Sequence, residues 1–457
     1  MTTTDNNSYS HNYGVESYLA RINYGFKSRY YIDASWRTDG SSRFHPSDRW
    51  GHFWSVGASW RISEEQFMEN TRQWLDNLTL KVSYGVQGND NLGTYYAWQG
   101  LYDYTWPNAT DAGAFVDKLE NRKVTWEKNG NLNAGIEATM FGGRLGVSVE
   151  YYNRKTRDML LNSPLPISTG FTGFNDNVGS LRNQGLEVSL RGTILDKRDF
   201  RWDATLMGSF NRNKVLSLTG GQDVITSGIR VIEVARPIYT FYLPKTAGVN
   251  PATGKQLYYA YWTQTVNDEG ALVNTRCDEY ITDNVAMATL SKYYHESREP
   301  KLFGSIGSTF TILKNIDVSF LTTYSIGGWV YDGLYNGSMY VQYAGNNWHK
   351  NAKRRWQKPG DKTDVPMLEV GGSYATTSNS LIDASYFAIK NITVGYTLPK
   401  RWLKKIDIES LRIYATLDNI AMFNHMDGMD PQYNFTGSVA YSYTPSRVIA
   451  FGIDLNF

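Results

Sequence analysis

The 457-residue sequence predicts an all-β fold: an antiparallel up-and-down transmembrane β-barrel, present in part, with short turns at one rim and long loops at the other. Three observations predict it. Apolar and polar residues alternate with period two in about thirteen segments, as strands with one face of each kind require. The connections between these segments are alternately short and long. Aromatic residues gather near segment ends, where a membrane–water interface favours them.

The first segment runs through Tyr18, Ala20, Ile22, Tyr24 and Phe26, with Arg21, Asn23 and Gly25 between them. Tyr30–Trp36, Trp54–Ile62 and Leu78–Val86 follow with the same parity. It continues over 132–140, 145–151, 186–190, 202–210, 302–312, 316–324, 392–398 and 411–417. The last segment carries Ile449, Phe451, Ile453, Leu455 and Phe457, interleaved with Ala450, Gly452, Asp454 and Asn456. The polar parity holds Arg21, Asp33, Arg61, Lys81, Glu137, Glu150, Glu187, Asp203, Asp317 and Arg412, expected to line a wet or plugged lumen. Hydrocarbon forces such a sheet to close, because every backbone N–H and C=O must be paired there.

Short connections fall near 26–28, 141–143, 193–198 and 312–315, with longer ones at 63–76 and 399–408. "SEEQF" (Ser63 to Phe67) predicts a short capped helix, Gln66 standing three residues after Ser63. The remaining connections are long: 38–51, 88–129, 154–183, 212–301, 326–384 and 420–445. Loops of that length are usually functional.

Composition closes off other classes. The 41 Gly, 33 Tyr and 14 Trp against 13 Pro suit strands and turns. Mean hydropathy is −0.45, and no run nears the roughly 20 apolar residues of a spanning helix. With 46 basic and 44 acidic residues, no basic field recruits nucleic acid. The single Cys277 excludes an intramolecular disulfide framework. "MTTTDNNSYSHNYG" has neither the basic nor the apolar region of a signal peptide. A soluble sandwich or propeller is the competing architecture; aromatic strand ends and the short/long alternation count against it.

Several stretches carry a family resemblance. "DGSSRF" (Asp39 to Phe44), "RWG" (Arg49 to Gly51) and "WSVGASWRISEEQF" (Trp54 to Phe67) come first. "NVGSLRNQGLEVSL" (Asn177 to Leu190), "NRNKVLSL" (Asn211 to Leu218), "RWQKPGDKTDVP" (Arg355 to Pro366) and "KNITVGYTLP" (Lys390 to Pro399) follow. In this order they resemble the SusC/RagA-type TonB-linked outer-membrane transporters of Bacteroidota. The resemblance implies a barrel of about 22 strands filled by an amino-terminal plug. It also implies a SusD-like surface lipoprotein outside, and the TonB–ExbB–ExbD complex as the energy source. Oligosaccharides, peptides and similar nutrients are the cargo it implies, with no catalysis and no cofactor.

Plug, TonB box, carboxypeptidase-like domain and about nine leading strands of that pattern are not in this sequence. The expectation is a carboxy-terminal barrel portion over 16–457, with 1–15 a polar extracellular loop remnant and an unpaired edge at Tyr18–Phe26. Such a portion is expected to be incompetent for energised transport by itself. The resemblance also makes Phe457 a terminus of the kind barrel-assembly machinery recognises, and outer-membrane lipid the solvent of the apolar parity. The competing functional class is a passive outer-membrane pore or a surface glycan-binding protein.

Loop aromatics are the candidate substrate or lipoprotein contacts. Tyr95, Tyr96, Trp98, Tyr102 and Trp106 crowd one loop. Tyr258, Tyr259, Tyr261 and Trp262 crowd a second, and Trp329, Tyr331, Tyr335, Tyr340 and Trp348 a third. Flat rings with a polar edge suit sugar faces and peptide side chains; the same rings serve equally to pack loops together or to seal against a lipoprotein. Cys277 and His295 share a loop but show no activating pattern. Neither the six His nor the Asn91, Asp278, Glu279 and Asp283 groups have metal-site spacing, so no metal is expected. Arg43 and Arg355 are expected to tie loops through salt bridges.

Overall fold

A computed structural model describes residues 10–104, 111, 113–218, 223–339, 347–369, 374–403, 408–426, 428–432, 435–439 and 443–457. They fall into two compact units. One is Met1–Val188 with Arg212–Ile225 and Glu233–Ala235; the other is Ser189–Asn211 with Thr226–Ile232 and Arg236–Phe457.

Thirteen strands form the main sheet, in sequence order. They are β1 (Val15–Phe26), β2 (Tyr30–Ser41), β3 (Trp50–Arg61), β4 (Leu75–Asn89), β5 (Glu127–Met140), β6 (Leu145–Arg157) and β7 (Ser180–Lys197). Then come β8 (Phe200–Ser217), β9 (Leu302–Ile312), β10 (Ile316–Ile326), β11 (Tyr386–Thr397), β12 (Ser410–Asn424) and β13 (Val448–Asn456). All thirteen segments of period-two alternation are strands of this sheet. Many run further toward the long loops than the alternation does. At Thr38, Asp39 and Ser41 the reason is visible: these polar residues of β2 are buried under loops, so pairing continues where the apolar/polar contrast has gone. The turn placed at 193–198 is shorter than expected. β7 and β8 continue through its polar residues, and only Arg198 and Asp199 lie between them.

"SEEQF" departs from expectation. It forms two 3-10 turns, Ile62–Glu64 and Gln66–Thr71, and neither has a side-chain cap. Ser63 lies buried inside the first turn. Glu65 between them is extended and reaches back to the strands. It accepts from Arg29 Nη1 at 3.2 Å and Trp60 Nε1 at 3.1 Å, and from the Tyr30 hydroxyl. The carboxylate was more useful bridging two strands than closing a helix.

Two of the hairpin turns are type I′. Arg29 N donates to Phe26 O at 3.0 Å across Lys27 (φ 51°) and Ser28 (φ 53°). Asn315 N donates to Ile312 O at 3.2 Å across Leu313 (φ 52°) and Lys314 (φ 63°). Such turns match strand twist but usually take Asn-Gly.

The outward face carries its aromatics in rungs. Tyr30 pairs with Trp60, and six residues further Trp36 pairs with Trp54. That spacing spans roughly 20 Å at about 3.4 Å per residue, close to the height of a barrel's apolar band. In the second unit the opposite face is charged and close-fitted. Gly395 on β11 pairs with Asp317 on β10 and Tyr414 on β12. Arg412 reaches past it to Asp317 (2.6 and 3.0 Å) and to Asp454 on β13 (3.2 Å). Its guanidinium lies 4.8 Å from the Tyr414 ring centre, and that ring covers Gly452 on β13. In the first unit Lys81 meets Glu137 at 2.5 Å. Among the described residues β1 pairs only with β2 and β13 only with β12. All twelve residues of β1 are exposed.

Candidate functional site

The long loops fold into small cores beyond the strand ends. In the first unit Phe44, Phe53, Ala97, Val124 and Trp126 form a buried cluster, with Trp98 packed against it. Trp126 Nε1 donates to Arg49 O at 2.7 Å. Asn177 receives Thr125 N at 2.8 Å and donates to Thr125 O and Asp158 O. Arg43 contacts Asp90 at 3.2 Å as the expected loop-to-loop ion pair, and its guanidinium stacks on Tyr13 and Tyr95. Tyr13 and Ser41 hydroxyls donate to the same Asp90 carboxylate. Burial, with the Asp90 hydrogen bond, pushes the Tyr13 phenol up. The family-like motifs around residues 39–51 and 177–180 thus shape loops: Phe44 fills the core, and Arg43 and Asn177 tie its edges.

Of the first aromatic group, Trp98 is a core neighbour facing His45 at 4.9 Å. Tyr95 lies between Arg43 and His11, and Tyr96 accepts from Asn12 N at 3.4 Å. Tyr102 stays exposed. Trp106 and Tyr340 lie outside the described residues.

In the second unit a three-stranded sheet over Thr246–Val249, Gln256–Val266 and Leu272–Thr282 carries the second group. Tyr258 is fully buried, its hydroxyl accepting from Ala375 N at 3.2 Å. Tyr259 lies 4.3 Å under Lys245, and Tyr261 lies beneath Arg276 and edge-on to Tyr293. Trp262 is half-buried on the same strand. Burial raises the Tyr261 and Tyr293 phenols well above their usual range, so both stay neutral, and Tyr261 donates to Lys292 O at 2.6 Å. Sequence reasoning missed Tyr242, Tyr293 and Tyr294: the Tyr242 and Tyr294 rings lie tilted with centres 4.9 Å apart, and Tyr293 stands edge-on to Tyr261. Arg236 covers Tyr294 at 3.7 Å. The signal was available in "KYYHES" (Lys292 to Ser297), a strand that reads as plain loop without its partners.

The third group divides. Tyr331 is buried with Phe241 and Leu243, with Trp329 alongside. Trp348 is exposed beneath Arg355 at 5.5 Å. The ion pair expected of Arg355 belongs to its neighbour, Arg354 with Asp364 at 3.1 Å. Arg355 contacts a ring instead. Nearby, Asp332, Tyr335, His349, Asn351, Asn379 and His425 face a cleft of about 270 Å³. Burial raises the Asp332 carboxyl, although Tyr335 N donates to it at 2.8 Å. His295 Nε2 donates to Leu243 O at 3.2 Å, and burial keeps its imidazole more readily neutral.

Fold and loops together define a class: the wall of an up-and-down β-barrel in a membrane, carrying folded loop modules with aromatic and cationic surfaces. Comparison with known proteins gives the family. Residues 2–420 match the family described as TonB dependent receptor-like, beta-barrel, and the chain belongs to it. The chain is 28% identical to the TonB-dependent receptor SusC of Bacteroides thetaiotaomicron, over 96% of itself and 43% of that protein. Identity to the TonB-dependent receptor P26 of Formosa agariphila is also 28%, over 97% and 46%. Among solved structures it superposes on the RagAB peptide transporter with a TM-score of 0.83 and 29% identity, over 97% of this chain and 48% of that one. The chain therefore spans about half the length of the relatives it matches. It is an outer-membrane β-barrel protein, and the family is one of transporters rather than enzymes.

Proposed function

We propose that this chain supplies barrel wall and extracellular loops, over residues 16–457, to a SusC-like importer of oligosaccharides or peptides. A SusD-like lipoprotein covers the long-loop rim, and TonB–ExbB–ExbD drives transport through a plug that fills the barrel. The observation that supports this best is the likeness over 97% of the chain to a peptide transporter. The rings left accessible, Tyr102 and Trp348, the cation-covered Tyr259 and Tyr261, and the half-buried Trp262 face cargo or lipoprotein. Tyr95 and Tyr96 steady the outer loop. Buried Tyr258 and Tyr331, with Trp98 and Trp329, hold the loops that present them. Phe457 serves the barrel-assembly machinery.

Uptake of labelled oligosaccharides and labelled peptides in cells with and without the gene tests the reading. Uptake of one class should require the gene and collapse when a protonophore dissipates the proton gradient. Gene-dependent uptake that ignores the protonophore would establish a passive pore instead.

A further inference from the structure

We propose that the short-turn rim binds anionic phospholipid headgroups of the leaflet it meets, through cations and apolar side chains presented together on its turns. The inference rests on the membrane placement of the strands and goes beyond transport.

In the second unit one rim joins Arg198, Leu313, Lys314, Lys400, Arg401 and Trp402. Leu313 N donates to Asp199 O at 2.8 Å, and Thr397 N to Asn315 O at 2.8 Å, so these turns are neighbours. All six side chains are exposed, Leu313 at 61% and Trp402 at 55%. Among the described residues none of the four cations has an ion-pair partner; Arg401 lies over Trp402 at 5.9 Å. Among the described residues the acidic ones at this rim are fewer. Asp196 already lies 3.9 Å from Arg201, leaving Asp199 and Glu409.

The backbone adds an independent argument. Leu313 and Lys314 both sit at positive φ in a type I′ turn, where a branched apolar residue is strongly disfavoured and Asn-Gly fits without strain. Leu-Lys there carries a backbone cost that Asn-Gly would avoid, so what the pair contributes is its side chains. The first unit repeats the device by itself. Lys27 holds a positive φ and lies 5.3 Å from the Phe26 ring, and Phe141 at positive φ stands exposed two glycines before Arg144. An apolar group beside a cation is the pairing that a headgroup boundary rewards: the first enters the acyl layer, the second meets phosphate.

The test uses the full chain in detergent micelles with fluorescent phosphatidylglycerol and phosphatidylcholine. The chain should retain phosphatidylglycerol preferentially, and the preference should fall as salt rises. Each of Lys314→Ala, Lys400→Ala and Arg401→Ala should lower it by about fivefold, the factor a single cation supplies near an anionic surface. The double variant Leu313→Asn/Lys314→Gly should unfold at higher denaturant than the parent yet lose the same fivefold, which separates binding from folding. Equal retention of the two lipids would overturn the proposal, as would a preference untouched by these variants. Displacement of the lipid by inorganic phosphate would also overturn it, by revealing a free-phosphate site. So would capture of a soluble periplasmic protein at this rim without lipid preference. A chain soluble without detergent would instead defeat the membrane reading itself.

Discussion

Gly395→Ala probes the charged face of the wall at its tightest point. A Cβ there would lie 2.5 Å from Arg412 Nη2 and Asp317 Oδ1, and 2.6 Å from Arg412 Nε. Non-bonded atoms settle at about 3.5–4 Å, so the methyl must push the guanidinium off the carboxylate. The two bonds at stake are charge-assisted, about 1.5–3 kcal/mol net in shelter. Both side chains are 29–30% exposed, which brings the figure toward about 1 kcal/mol. Crowding adds about 1–3 kcal/mol, and removing a glycine from a strand returns about 0.5–1 kcal/mol. The net expectation is a loss of about 1–3 kcal/mol. In an Arg412→Ala background the fork is gone and Asp317 is free to turn aside. The same substitution should then be neutral, or stabilising by about 0.5 kcal/mol. Urea unfolding in lipid vesicles, followed by tryptophan fluorescence, gives the full double-mutant cycle. An equal cost in both backgrounds would refute the reasoning, because it would place the clash on the backbone rather than on the ion pair.

Three further predictions concern the connections. The Glu65 carboxyl is held below its usual range, first by the Tyr30 hydroxyl and then by Trp60 N–H. Its contribution is therefore present above the unfolded value and lost as pH falls through the lower folded one. Glu65→Gln should flatten the pH dependence of the unfolding midpoint in that acid window; an unchanged slope would exclude the bridge. Asp332 has the opposite sign: burial raises its carboxyl, so the ionised form is penalised at high pH and relieved as pH falls through the folded value. Asp332→Asn should raise the midpoint near pH 8 and not in acid, and a gain equal at both would count against burial as the cause. Trp126→Phe removes one of two donors to the Arg49 carbonyl, Ser41 N remaining at 3.1 Å, and should cost about 0.5–1.5 kcal/mol. Limited proteolysis of the loops around residue 120 reads it, and cleavage at the parent rate would contradict the role given to the indole.

The wall was legible in the sequence because lipid and lumen impose opposite demands on adjacent residues. Ile453 and Asp454 cannot exchange places without a charge entering hydrocarbon, so the pattern is written at every step. The loop strands were not legible. Tyr258 and Tyr259 stand on one strand, but one is buried and the other lies under Lys245. Which ring is covered depends on Ala375 and Lys245, far away or unremarkable in sequence. The aromatic groups were therefore found as groups, while their division into packing and accessible rings needed the fold. The stretch Ser63 to Phe67, expected as a capped helix on Ser63 and Gln66, was misread for a related reason. A helix-cap pattern is local, whereas the competing partners arrive from elsewhere: Arg29 from the first hairpin turn, and Tyr30 and Trp60 from two strands.

The ring of Tyr414 over Gly452 bears on how such a wall finds its alignment. Alternation guards against sliding one residue, since that would turn every apolar side chain inward. It is blind to a slide of two, which keeps both faces correct. At that slide Tyr414 would meet Ala450 or Asp454 in place of Gly452, its partner in the native register. A Cβ at that place would stand 2.2 Å from the ring, so neither neighbour fits beneath it. The glycine thus works as a keyway, admitting the last strand at one position out of the several that chemistry alone would accept.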